Sequence, residues 1–320
     1  MPTSVLDSTD RLTIAAVRCA WSQWSSIGAL TNRGPQIDEE IVDPEALLLA
    51  SVGLGEREPR LRTLAVDWAL ENSELLSVAR IRALLEGPFA RGVFDFESLA
   101  ETIATEGGDA RWKALMPLDA RAAARPIPPR RARRAAQPRW RGARTLVLQL
   151  RRGFGVSVKP DLIAILIGRR GEWTDVATLV ELSGYSVAGV RRAADDLADA
   201  TLIHSSGGHN RAYRADPRFW LAVAGEPGAA VWRRRADGFA FVLSWRRDLA
   251  EKDAFHDSEF SLALNFGTRM AEFWKLWLEA GVTRPPVSDE PAKSWKSRDA
   301  AIESLVRWFD DRATYGDEHD

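Results

Sequence analysis

Clustered arginines are the side chains in this sequence whose types and spacing best suit a chemical task. Arg191 and Arg192 are adjacent, and Arg211 and Arg214 stand close together further along the chain. A guanidinium group can grip a phosphate, or the edge of a guanine base, through two parallel hydrogen bonds. We therefore expect these four side chains to contact double-stranded DNA.

Small and polar residues accompany these arginines. Ser186 and Gly189 precede Arg191 at the start of a predicted helix, where unpaired backbone amides attract phosphate. A second arginine-rich stretch surrounds Trp140, whose ring adds a stacking surface to the charge. The predicted DNA-contact residues are Ser186, Gly189, Arg191, Arg192, His209, Asn210, Arg211, Arg214, Arg139 and Arg141.

Two other interpretations of these residues remain open. Paired arginines often form only a solvated helix face, and the same kind of domain also serves as a protein-protein module. His204 and His209 have a spacing that suits a metal site, but polar contacts with phosphate or water explain them as well. We expect no metal and no cofactor.

Catalytic motifs are not found in the sequence. There is no G-x-S-x-G, P-loop or H-E-x-x-H pattern, and the adjacent Asp195 and Asp196 point apart on a helix. The Gly53-Leu54-Gly55 segment lacks the third glycine and the preceding strand of a dinucleotide loop. The single cysteine, Cys19, excludes an internal disulfide. We therefore expect a non-enzymatic protein.

Three short helices are predicted to position the arginines. The first covers residues 161–167 after Pro160, and Gly168 and Gly171 end it. Thr174 is expected to cap the second helix, which Gly184 terminates. Ser186 is expected to cap the third, in which Val187, Val190, Ala194 and Leu197 form the apolar face.

After Ala200 the pattern changes from helical spacing to alternation. Leu202 and Ile203 lead into a glycine-rich tip, and residues 211–214 are predicted to form a returning strand. Asp216 and Pro217 then favour another helix. The segment "TDVATLVELSGYSVAGVRRAADDLADATLIHSSGGHNRAYRAD" resembles the winged helix-turn-helix domains of bacterial transcriptional repressors, over about 60 residues. The resemblance implies a recognition helix in the major groove and a wing beside it.

Charge is unevenly distributed along the chain. Residues 120–224 contain 19 basic and 8 acidic side chains, while the flanking parts have net charges of −8 and −4 and the whole chain has −1. Clustered cations supply the sequence-independent part of nucleic-acid affinity. This distribution favours a nucleic-acid module between two domains that do not bind nucleic acid.

The complete domain prediction is a mainly α protein. Residues 1–116 form an all-helical domain with a partner or dimer surface, which includes the region of Arg80 and Arg82. Residues 117–144 form a linker rich in proline and arginine, either an arm along DNA or a spacer. Residues 145–224 form the winged helix-turn-helix, an α unit with a small β-hairpin wing. Residues 225–320 form a mainly helical, aromatic-rich C-terminal domain, whose residues 238–245 fit either strand or helix.

We expect a sequence-specific transcriptional regulator that binds duplex DNA as a homodimer. More loosely, a winged helix beside an apolar helical domain looks like the antitoxins encoded with nucleotidyltransferase toxins, which repress their own operons. That resemblance implies a cognate toxin as a protein partner. One alternative is an adaptor subunit that uses the winged helix for protein contact in a defence or nucleic-acid-processing complex. Another is an effector-sensing pocket in the aromatic C-terminal domain. No segment is apolar enough to predict a membrane span, and residues 1–11 lack the pattern of a secretory signal, so we expect a cytoplasmic location.

Overall fold

The protein is described by a computed structural model that places most of the chain. The described residues are 5–30, 39–90, 96–117, 138, 140, 142–208, 211–216, 218–220, 230–251, 259–282 and 291–310. Within these residues the protein is mainly helical with one small three-stranded sheet, in agreement with the predicted mainly α class.

Helices dominate the N-terminal part. They are α1 (Val5–Ser26), α2 (Pro44–Gly53), α3 (Pro59–Asn72), α4 (Val78–Glu86) and α5 (Phe96–Thr105). The start of α2 follows the sequence signal, because the Asp43 carboxylate accepts a hydrogen bond from the Ala46 amide at 3.2 Å and Pro44 occupies the first turn. Ser77 caps α4 in the same way through the Arg80 amide.

The C-terminal part is also helical. Its helices are α10 (Arg235–Glu251), α11 (Glu259–Glu272), α12 (Trp274–Glu279) and α13 (Pro291–Asp310). The numbers α6 to α9 belong to the middle of the chain, which is described below. The ambiguous residues 238–245 are therefore helix. Helices α11 and α12 are separated at Phe273, whose backbone leaves the helical region.

One hydrophobic core joins the N-terminal and C-terminal helices. Helix α1 packs along α13, and α2 packs against α10. Polar contacts reinforce this, since the Trp245 indole donates to the Thr9 hydroxyl at 3.0 Å and Arg235 forms a buried ion pair with Glu40. The separate domains predicted for residues 1–116 and 225–320 thus share a core, which we call the helical body. Local sequence patterns do not indicate contacts between segments that lie so far apart in the chain.

A middle unit lies between these two parts of the chain and has its own core. It contains α6 (Leu146–Phe154), α7 (Val158–Gly168), β1 (Thr174–Asp175), α8 (Val176–Ser183), α9 (Val187–Asp199), β2 (His204–Ser205) and β3 (Ala212–Arg214). The sheet order is β1-β3-β2, with antiparallel neighbours throughout. Thr174 pairs with Tyr213, and His204 pairs with Arg214.

Two local predictions in the middle unit are wrong. Thr174 does not cap α8, because it is part of β1, and the Asp175 carboxylate accepts the Thr178 amide at 2.7 Å instead. Val187 does not belong to the apolar face of α9 and is 52% exposed. Val190, Ala194 and Leu197 are buried as predicted. The helix predicted after Asp216 falls largely outside the described residues.

A buried polar network joins the helical body to the middle unit. Its members, called the junction network below, are Asp43, Glu45, Ser77, Arg80, Arg151, Asp161 and Tyr185. Arg151 pairs with Asp161 at 2.7 Å and with Glu45 at 3.0 Å, so it links α6, α7 and α2. Tyr185 donates to Asp161 at 2.7 Å and lies 2.8 Å from the Ser77 hydroxyl.

The burial of Arg80 contradicts the prediction that its region forms a partner or dimer surface. It is 2% exposed, pairs with Asp43, and donates to the carbonyl oxygens of Leu182 and Ser183 at the end of α8. The physical reason is that acceptors from the middle unit and the Asp43 carboxylate together satisfy the guanidinium, so it can be buried. This side of α4 is an internal contact of the chain.

Candidate nucleic-acid interface

The turn between α8 and α9 has the tight geometry that the sequence predicts. Gly184 ends α8 in the left-handed region with φ of 71°, and its amide donates to the Val180 carbonyl. Glycine adopts this conformation without the steric penalty that a side chain would meet. Tyr185 then turns inward to the junction network, and Ser186 starts α9.

Ser186 and Gly189 form the predicted cap of α9. The Ser186 hydroxyl accepts the Gly189 amide at 3.2 Å. A Cβ atom at position 189 would lie 3.1 Å from that hydroxyl, so a side chain there would crowd the cap. Ser186 itself is exposed, and the first turn of α9 therefore faces solvent.

Arg191 and Arg192 project into solvent from α9. Both are exposed, whereas Val190, Ala193 and Ala194 around them are buried in the middle unit. The apolar face of the helix packs against the core of the middle unit, so the face with the two arginines stays accessible to solvent. Both arginines thus lie on the exposed side of the helix, as the apolar spacing predicts.

Asp195 brings the hairpin next to this side of α9. The Arg211 guanidinium pairs with the Asp195 carboxylate at 2.7 Å, and the Tyr213 hydroxyl donates to the same oxygen at 2.7 Å. Asp195 follows Arg191 by four residues and Arg192 by three, and residues at these spacings are neighbours on a helix. Arg191, Arg192 and Arg211 therefore surround one carboxylate.

The environment of Asp195 keeps it ionised. The hydrogen bond from Tyr213, followed by that from Arg211, lowers the pKa of Asp195 below its ordinary value, despite some desolvation. This role is absent from the sequence predictions, which consider Asp195 only to exclude a catalytic carboxylate pair with Asp196. Its partners are 16 and 18 residues away, so no local spacing indicates them.

Arg214 occupies the solvent face of the sheet. Tyr213 beside it is buried, and neighbouring residues of a strand point to opposite faces. The Arg214 guanidinium lies 4.7 Å from the ring centre of Trp173, which is 46% exposed. Trp173 is a second site residue that the sequence patterns do not indicate.

Acidic side chains occupy the rest of α9. Asp196 pairs with Lys159 of α7 at 2.8 Å, and Asp199 is exposed near the end of the helix. The two halves of α9 thus differ in charge. The first half displays arginines beside the capped N-terminus, and the second displays carboxylates.

Four predicted contact residues lie outside the described part of the chain. They are His209, Asn210, Arg139 and Arg141. Trp140, between the last two, is described and exposed, and the Arg152 guanidinium lies 5.9 Å from its ring centre. The stacking surface predicted at Trp140 is therefore accessible.

Metal sites and membrane-spanning helices are not found in the described residues. No group of three or more histidine, cysteine, aspartate or glutamate side chains there is arranged to hold a metal ion. Among the same residues, no helix combines the length and the apolar character that crossing a membrane requires. Among the described residues, Arg211 contacts α9 at Asp195, whereas Arg214 lies against Trp173 on the face of β3 opposite to the Tyr213 side chain.

Comparisons with known proteins assign neither a family nor a function to this chain. No protein-family model matches the sequence, and neither the curated proteins nor the solved structures contain a match.

Proposed function

We propose that this protein is a sequence-specific transcriptional regulator that binds duplex DNA through α9 and the β2–β3 hairpin. The order α7, β1, α8, α9, β2, β3 is that of a winged helix-turn-helix, in which the third helix enters the major groove and the hairpin lies beside it. In this proposal α9 is the recognition helix and the hairpin is the wing.

The grouping of Arg191, Arg192 and Arg211 around Asp195 is the observation on which the proposal rests. Arg191 and Arg192 lie in the first half of α9, close to its capped N-terminus, and Arg211 reaches the same helix further along, at Asp195. Backbone amides at a helix N-terminus and guanidinium groups both favour phosphate. This combination suits a polyanion better than a neutral partner.

The different charges of the two halves of α9 indicate how this helix would be oriented on DNA. The carboxylates of Asp196 and Asp199 would be repelled by phosphate, whereas the first half of the helix attracts it. We therefore infer that α9 approaches DNA with its N-terminal half foremost. Arg191 and Arg192 then contact base edges or the nearest phosphates, and Arg211 and Arg214 contact the adjacent backbone.

Salt dependence of duplex binding tests the proposal. Fluorescence anisotropy with a labelled mixed-sequence duplex is measured between about 50 and 200 mM salt, where each neutralised phosphate contributes about 0.9 to the slope of log affinity against log salt. The wild-type protein is expected to show a steep slope. Arg191→Ala combined with Arg192→Ala is expected to weaken binding and to reduce the slope by about 0.9 for every phosphate that the variant no longer neutralises.

Arg57→Ala combined with Arg60→Ala is the matched control. Both arginines are exposed on the helical body, and the control removes the same charge as the test variant. Unchanged binding in the control, with weaker binding in the test variant, supports the assigned face. Equal weakening in the two variants would mean that only net charge matters, and a flat salt response would remove the DNA proposal.

A protein partner is the second candidate, and the exposed carboxylates on α9 favour it. Asp196 and Asp199 leave half of the helix unsuited to phosphate but suited to a basic protein surface. In this alternative the middle unit is an adaptor module. A shallow salt response with duplex would then be accompanied by co-purification of a basic partner that Asp199→Lys prevents.

A further inference from the structure

A cavity lies where the middle unit meets the C-terminal helices. Its volume is about 520 Å³, which is within the range of small-molecule sites. The wall includes the segment after α4, α8, the start of α10, and the junction of α11 with α12. Four separate segments of the chain thus line one space.

Glu181 of α8 is held at this cavity by two cations. Arg234, just before α10, donates to its carboxylate at 2.8 Å, and Lys275 of α12 donates to the other oxygen. Desolvation alone would raise the pKa of Glu181, but the hydrogen bonds from Lys275 and Arg234 outweigh it and lower the pKa. The chain's own carboxylate therefore occupies a two-cation anion site.

The rest of the wall suits the body of an organic molecule. Pro88, Phe273 and Trp274 supply apolar and aromatic surface beside the two cations. Arg269 also lines the cavity, but it is held by Asp248 at 2.9 Å and Glu272 at 2.6 Å, so it supports the wall. Lys275 remains 63% exposed despite its ion pair, so an incoming group can reach it.

We propose that this cavity binds a small organic anion, a carboxylate or phosphate on an aromatic-sized body, whose charged group replaces the Glu181 carboxylate on Arg234 and Lys275. The aromatic body packs against Phe273 and Trp274. Arg234 also pairs with Asp237 of the cavity wall at 2.9 Å and keeps that partner, and the incoming anion takes the place of Glu181 on Lys275, so both cations stay paired. Binding separates α8 from α12 at this contact.

The site is independent of the proposed function, because its occupancy requires no DNA. Ligand binding would affect the molecule at one contact, because Glu181 is the residue through which α8 contacts both Arg234 and Lys275. A ligand that displaces Glu181 loosens this attachment of the middle unit to the C-terminal helices.

Isothermal titration with three probes tests the site. Benzoate and phenyl phosphate represent the two anion classes, and benzamide is the neutral equivalent of benzoate. The wild-type protein is expected to bind at least one anion saturably and to bind benzamide at least about tenfold more weakly, since a charge-assisted contact contributes roughly that factor. The stronger anion identifies whether the natural ligand is a carboxylate or a phosphate.

Two substitutions are expected to change the affinity in opposite directions. Lys275→Ala removes one of the two cations and should weaken anion binding about tenfold. Glu181→Gln removes the internal competitor and should strengthen it by a similar factor. A purely structural role for these residues does not predict opposite signs.

The controls are ion-paired residues away from the cavity. Lys159→Ala, in the Lys159–Asp196 ion pair, matches Lys275→Ala, and Glu172→Gln, in the Arg169–Glu172 ion pair, matches Glu181→Gln. Both control variants should leave the anion affinity unchanged. Circular dichroism and melting temperature verify folding, and Lys275→Gln replaces Lys275→Ala if the latter is unfolded. The proposal is overturned if no anion binds, if benzamide binds equally well, or if both test variants shift affinity in the same direction.

Discussion

Asp195 has an unexpected position among the residues of the proposed DNA-binding face. It is a carboxylate in the middle of three arginines, and it accepts hydrogen bonds from Arg211 and Tyr213. In the proposal it orders the hairpin against α9 but also reduces the positive charge that phosphate would meet. The two effects have opposite consequences for DNA affinity, and one substitution separates them.

Asp195→Asn is expected to strengthen duplex binding at low salt by roughly two- to fivefold, the effect of one exposed charge contact. The amide oxygen still accepts from Tyr213, while the removed charge releases Arg211 for phosphate. Anisotropy against the labelled duplex measures the change. Asp199→Asn, the same substitution near the end of α9, is the control and should have a smaller effect; equal gains would show that Asp195 has no special position.

Residue-scale prediction from sequence succeeded for some groups and failed for others. The exposure of Arg191 and Arg192 follows from their place opposite Val190 and Ala194, because helical periodicity is local information. Trp173 and Asp195 were missed, since Trp173 meets Arg214 where β1 pairs with β3, and Asp195 meets Arg211 where the hairpin contacts α9.

At the scale of elements, the turn between α8 and α9 determines how the proposed recognition helix is presented. Gly184 was predicted correctly, because a glycine that ends a helix has a clear sequence signal. The cap of α8 was assigned to Thr174 although Asp175 performs it. Both residue types are good caps, and the pairing of Thr174 with Tyr213 decides between them.

Gly184→Ala is expected to lower the free energy of unfolding by about 1–2 kcal/mol, the cost of left-handed backbone for a residue with a side chain. The new Cβ atom would also lie 3.3 Å from the Ala83 Cβ atom. Chemical denaturation measures the difference. Gly153→Ala in α6 has no neighbour within 4 Å and should instead gain about 0.5–1 kcal/mol; a decrease of similar size at both positions would contradict the special role of the turn.

For the whole molecule, the junction network is the main polar connection between the helical body and the middle unit in the described residues. It unites charges from α2, α4, α6 and α7 with Tyr185 of the turn before α9. Local sequence patterns do not indicate it, and they also predict two separate domains where the structure has one helical body. Both errors concern contacts across long stretches of chain, such as that of Arg151 with Glu45.

Tyr185→Phe tests this connection. It removes the hydroxyl that lies between Asp161 and Ser77, and the absence of a buried hydrogen bond to a charged group is expected to cost about 1–3 kcal/mol of unfolding free energy. Tyr213→Phe, whose hydroxyl contacts the more accessible Asp195, should cost less. Equal costs, measured by denaturation, would indicate that the Tyr185 hydroxyl in the junction network contributes no more than the part-buried contact of Tyr213 with Asp195.

Acid should destabilise the molecule through Asp43. Burial alone would raise the pKa of Asp43, but the ion pair and hydrogen bond with Arg80 lower it below the ordinary value of 3.8. Because the folded pKa is below the unfolded one, this stabilisation is present above about pH 4 and is lost as pH falls further. Melting temperature against pH measures it, and Asp43→Asn should make the dependence in this acid range shallower. An unchanged profile in the variant would assign the acid sensitivity to other carboxylates.

Hydrogen exchange of the protein with and without duplex DNA tests the central claim most directly. The proposal predicts slower exchange in the first half of α9 and in β2 and β3, with no change in α3 of the helical body. Slower exchange confined to the helical body, or none anywhere at saturating duplex, would contradict it.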